Sequence, residues 1–82
     1  MTYRAELSGR VLGQLGGFPA VAFDALITTM AAVVAYPDDP MRTFPTGEPY
    51  VRRAEFGSAG LATYVIDDAR QVAILTDVTW VG

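Results

Sequence analysis

The chain has 82 residues, room for one domain with one core, so residues 1–82 are read as a single domain. It contains no cysteine, histidine or lysine, which excludes disulfides and the usual thiol– or hydroxyl–imidazole nucleophile pairs, and leaves stability to its 51% apolar residues. A net charge of −3 and a pI near 4.5 argue against a strong non-specific grip on nucleic acid, which needs a basic patch, but leave room for a local arginine pair among the six arginines.

Arginine in place of lysine, with abundant Ala, Gly and Val, fits the codon bias of a GC-rich genome. Met1–Ser8 is polar and no apolar core of a signal peptide follows, so a cytoplasmic protein is expected. Thr2–Leu7 alternates, with Tyr3, Ala5 and Leu7 on one side and Thr2, Arg4 and Glu6 on the other, as in a half-buried strand. Ser8 offers an N-cap to a short helix over Gly9–Leu15, weakened by Gly13 and ended by Gly16 and Gly17. Pro19 suits the first turn of a second helix. There Phe23, Leu26, Ile27, Met30, Val33 and Val34 form one apolar stripe at helical period. Asp24, Thr28 and Thr29 interrupt the apolar stretch Phe18–Tyr36, so it reads as a packed amphipathic helix and not a membrane span. The helix stops at Tyr36-Pro37, because a residue before proline avoids the α region.

Residues 37–49 hold four of the five prolines and read as a loop. Three strand-like runs follow: Tyr50–Phe56, Leu61–Ile66 and Val72–Trp80. Gly57-Ser58-Ala59-Gly60 and Asp67-Asp68-Ala69-Arg70 supply the turns between them. The expected fold class is α+β: one N-terminal strand, a helical hairpin, then a three-stranded antiparallel meander, with the helices packed on one face of the sheet. The first strand must either pair parallel with the last through a right-handed crossover or lie at an edge.

That order resembles the RelE/ParE superfamily of bacterial type II toxins, and particular segments carry the resemblance. Tyr3-Arg4-Ala5-Glu6-Leu7-Ser8 resembles the opening strand and helix cap, and Tyr36-Pro37-Asp38-Asp39-Pro40 the segment after the second helix. Val51-Arg52-Arg53-Ala54 is similar to the arginine-bearing second strand. Tyr64-Val65-Ile66-Asp67-Asp68 resembles the third strand with its acidic turn, and Val72-Ala73-Ile74-Leu75-Thr76-Asp77-Val78 the apolar fourth. The resemblance covers the whole chain. It implies a toxin held by a cognate antitoxin, acting either as a nuclease on messenger RNA at the ribosome or by binding DNA gyrase. Two positions depart from the nuclease branch. Leu61 stands where that branch has an arginine, and Trp80-Val81-Gly82 stands where it has a basic residue followed by tyrosine. Cleavage also needs a group that takes the 2′-hydroxyl proton. The residues offer only a carboxylate such as Glu55 or Asp77, shifted upward by burial.

Four binding residues are singled out. Arg52 and Arg53 are consecutive on a strand and point to opposite faces. The open-face arginine either contacts phosphate or an acidic partner, or is solvated or paired with Glu55. Tyr64 either stacks on a base or packs in a central strand. Trp80 either anchors a partner or seals the core. Asp67-Asp68 and Asp38-Asp39 are explained by turn chemistry, so no metal and no cofactor is expected. Gly57–Gly60 leads into a strand and not a helix, so it is no phosphate loop. The expected function is a toxin of a toxin–antitoxin system that works by binding protein without efficient RNase activity. The open alternatives are a divergent ribosome-dependent mRNA endoribonuclease and a non-toxic interaction module or homodimer. Expected partners are the antitoxin and a protein target or the ribosome, with no membrane. Whether the chain is an enzyme stays open, with the composition leaning against it.

Overall fold

The computed structural model describes residues 3–81; Thr2, expected to open the first strand, lies outside them, as do Met1 and Gly82. The element order is β1 (Arg4–Leu7), α1 (Gly9–Leu15), α2 (Ala20–Ala35), β2 (Thr43–Pro45), β3 (Val51–Phe56), β4 (Gly60–Asp67) and β5 (Val72–Trp80). The strands form one sheet in the order β1-β5-β4-β3-β2. β1 pairs parallel with β5, with Arg4 opposite Val72 and Leu7 opposite Leu75, and it is also an edge strand. The α+β class and the β3–β5 meander are as the sequence predicts.

One correction concerns residues 37–49, which are not all loop. Thr43–Pro45 adds a fifth strand, antiparallel to β3, with Thr43 opposite Ala54 and Pro45 opposite Arg52. Proline is tolerated there because β2 is an edge and its missing N–H faces no neighbour. A buried anchor fixes the strand: Thr43 donates its backbone N–H and its hydroxyl to the Asp39 carbonyl at 2.9 and 2.7 Å.

Ser8 caps α1 as expected, its Oγ accepting from the Val11 N–H at 3.3 Å. The apolar stripe of α2 needs a second correction. The helix buries Ala22, Leu26, Met30 and Val33. Phe23 and Ile27 stay 41% and 54% exposed. A step of one residue turns the side chain by about 100°, so the stripe's flank overhangs the sheet instead of meeting it. The buried line packs on Ala54, Phe56, Ala62, Tyr64, Leu75 and Val78 of the sheet. Among the described residues no helix is long and apolar enough to cross a membrane.

A bulge in β5 sets which side chains reach this core. Tyr64 pairs with Leu75, but Thr63 pairs with Asp77, so Thr76 is the extra residue. Strict alternation from Ala73 and Leu75 would bring Asp77 and Thr79 inward. The inserted residue shifts the phase and brings Val78 and Trp80 inward instead. α1 covers the part of β5 that lies beyond β1: Gln14 accepts the Val78 N–H at 3.1 Å and donates to the Asp77 carboxylate at 2.9 Å.

Candidate functional site

Both helices pack on one face of the sheet, which leaves the other face open. The strand registers arrange that open face in rows. Asp77, Thr63, Arg53 and Phe44 lie opposite one another across four strands. On one side of that row is Thr79–Leu61–Glu55, and on the other Glu6–Ile74–Val65–Val51. The face therefore carries half-buried aliphatic side chains on both flanks of a polar row.

Arg53 is exposed on this face, and its Nε donates to the Thr63 hydroxyl at 3.4 Å, a long and weak bond. No carboxylate pairs with it among the described residues, although Glu55 shares its face. Other arginines are engaged. Arg10 pairs with Asp77 at 3.1 Å and Arg70 with Glu6 at 2.9 Å; Arg42 pairs with Asp39 at 4.0 Å and Arg4 with Glu6 at 3.4 Å. Arg53 is thus the guanidinium in the middle of the face that is free to meet an anion or an acidic partner.

Arg52 points the other way, as alternation requires. It is half-buried, and its Nε and Nη2 donate to the hydroxyl and carbonyl of Thr43 at 2.9 and 3.2 Å. Its role is to tie β2 to β3. Tyr64 lies opposite Arg52 and is fully buried, with its hydroxyl donating to the Pro37 carbonyl. No ring face is accessible for a base. Burial pushes its hydroxyl pKa above the usual tyrosine value, against the opposing influence of Thr43 and Arg52. Trp80 is half-buried at the opposite end of the core. It stacks on Phe56 at 5.8 Å between ring centroids, and Phe56 stacks on Phe18 at 6.2 Å. The structure does not bring these four residues together: Arg53 alone occupies the open face, and Arg52, Tyr64 and Trp80 serve the packed side.

Glu55 is exposed on this face. Asp77 accepts from Arg10 and Gln14 and is committed to α1. Leu61 stands on this face two positions from Thr63, an aliphatic contact within the row of Glu55. Sequence reasoning did not single out Thr43, whose polar side chain among apolar neighbours is visible as a residue type but not as an anchor. It also missed the apolar flanks of the face, whose alternating signal is the one that marks a half-buried strand.

No protein-family model matches the chain, and no curated protein matches it in sequence. Solved structures do match it in three dimensions. An E. coli RelE toxin mutant in complex with an antitoxin RelBc peptide superposes with a TM-score of 0.84 at 17% identity, over 100% of this chain and 86% of that one. The toxin–antitoxin complex RelBE2 of Mycobacterium tuberculosis gives 0.84 at 15% identity, over 99% and 100% of the two chains. The archaeal RelE–RelB complex of Pyrococcus horikoshii gives 0.76 at 18% identity, over 98% and 96%. This chain therefore has the RelE fold, as the resemblance to the RelE/ParE superfamily implies.

Proposed function

We propose, from this shared fold, that the chain is a single-domain RelE-like toxin of a toxin–antitoxin system, and that it acts by binding a protein target in the cytoplasm without efficient cleavage of RNA. The observation that carries the reading is the open sheet face. It offers aliphatic area around the Arg53 guanidinium, which pairs with no carboxylate among the described residues. An aliphatic surface with a central arginine suits a protein interface, where arginine and buried apolar contacts carry most of the binding energy. The structural neighbours occur in complexes with antitoxins, which supports an antitoxin as the first partner. The acidic net charge supports a protein partner over RNA.

The test is induced expression of the chain alone in bacterial cells, with growth followed and RNA integrity read from the same culture. Growth arrest with intact messenger RNA, relieved by Arg53→Ala or Leu61→Glu at equal protein level, is the expected result. Arrest accompanied by cleaved ribosome-bound message would replace this reading with the endoribonuclease one. Normal growth with folded protein would leave the scaffold as a non-toxic interaction module or homodimer.

A further inference from the structure

Ion pairs hold Glu6, Asp39, Asp67 and Asp77. Of the five remaining carboxylates, Asp38, Glu48 and Asp68 line one cavity of about 410 Å³ at the end of the sheet. Tyr3, Tyr50 and Arg52 line it too. Among the described residues that line it Arg52 is the one positive group, and its Nε and Nη2 are already given to Thr43. The Tyr3 hydroxyl donates to Asp68, and its pKa is raised by that bond first, then by desolvation, then by the charges of Asp68 and Asp38. Tyr50 is 65% exposed and held at φ 66°, an unusual conformation for a residue other than glycine. The Ile66 N–H bonded to its carbonyl at 2.7 Å keeps it there.

We propose that this cavity receives an arginine side chain of a polypeptide partner, its guanidinium lying against the tyrosine rings and donating to Asp38, Glu48 and Asp68. Among the described residues no three acidic side chains converge closely enough to hold a metal ion, so the negative charge is spread around the cavity. A planar cation with five donors matches a spread set of carboxylates and stacks on aromatic rings, whereas an ammonium is a point charge. The volume falls within the range of ordinary ligand pockets. The cavity is also continuous with the open sheet face. Val51 belongs to both, and the neighbouring hollow runs from Tyr50 to Val65 and Ile74. A segment lying along that face would pass its side chains over this opening. The inference rests on the reading of the chain as one that works through a polypeptide partner.

The test uses the ¹⁵N-labelled full chain and N-acetyl-arginine methylamide as probe, followed by amide chemical shifts. Saturable shifts are expected at Tyr50, Val51, Ile66 and Asp68, with none from the neutral isostere N-acetyl-citrulline methylamide and weaker ones from the lysine amide. The variant D38N/E48Q/D68N, shown to be folded by its dispersed spectrum, should bind at least about tenfold more weakly, the loss of one charged hydrogen bond or more. Tyr50→Asn removes the ring but tolerates the positive φ, and should also weaken binding. Shifts spread evenly over all carboxylates, equal shifts with citrulline or lysine amide, or an unaffected triple variant would each overturn the proposal. The probe is a free amide, so the result stands whether or not expression arrests growth, and failure of this inference is told apart from failure of the toxin reading.

Discussion

Gly60→Ala should cost the protein a large share of its stability, through the row of aromatic rings that ends in Trp80. A Cβ at Gly60 would lie 2.5 Å from Cε2 of Phe56 and 2.6 Å from its Cδ2 and Cζ. Carbon atoms in contact prefer about 3.5–4.0 Å, so the ring must retreat by about 1 Å. Phe56 lies directly opposite Gly60 in the β3–β4 pair, is itself buried, and stacks on both Phe18 and Trp80, which restrict its retreat. Overpacking of this kind costs about 1–3 kcal/mol, and the fixed ring argues for the upper half of that range. A chain of this size has a urea m-value of about 1 kcal/mol/M, so the unfolding midpoint should fall by about 2 M or more. Urea titration followed by fluorescence of the one tryptophan, with circular dichroism as a second probe, measures it. Phe56→Leu in the same chain should relieve the clash. The double variant is then more stable than the sum of the two losses by about 1 kcal/mol. A Gly60→Ala change within about 0.5 kcal/mol of the parent, or strict additivity in the cycle, would refute the account of Phe56 as a clamped ring.

Two further predictions follow from the same structure. Tyr64 has its pKa raised by burial, so the folded state keeps a proton that the unfolded chain releases near pH 10; stability is full below that pH and falls as pH rises through it. Tyr64→Phe should flatten the alkaline loss in a pH series of urea midpoints, while costing about 1 kcal/mol at neutral pH for the hydrogen bond to Pro37. The two neighbouring arginines should separate stability from function. Arg52→Ala strands the acceptors of Thr43 and should destabilise by about 1–2 kcal/mol, whereas Arg53→Ala should leave the thermal midpoint nearly unchanged and abolish growth arrest.

Local patterns were enough to read most of the fold. Ser8, the glycines after Leu15, Pro19 and the proline after Tyr36 bound both helices, because caps and breakers act within a few residues. The β-branched and aromatic runs marked the meander, and two turn segments marked its joints. The order of those elements was sufficient to suggest the superfamily plan. Alternation alone established that Arg52 and Arg53 point to opposite faces.

Which face each arginine occupies was decided by the tertiary structure, because it depends on where the helices lie. The same holds for β2, which is too short to signal itself and exists because Thr43 is anchored to Asp39 and bound by Arg52. The line of α2 that is buried depends on its seat over Ala54 and Ala62, a choice that a periodic apolar stripe leaves open by one residue. In β5 one extra residue at Thr76 turns Val78 and Trp80 inward, and nothing in the run from Val72 to Trp80 distinguishes that phase from regular alternation. The cavity of Asp38, Glu48 and Asp68 is the clearest case. It joins residues thirty positions apart in sequence, Asp38 and Asp68, and only long-range pairing of strands brings such groups to one place.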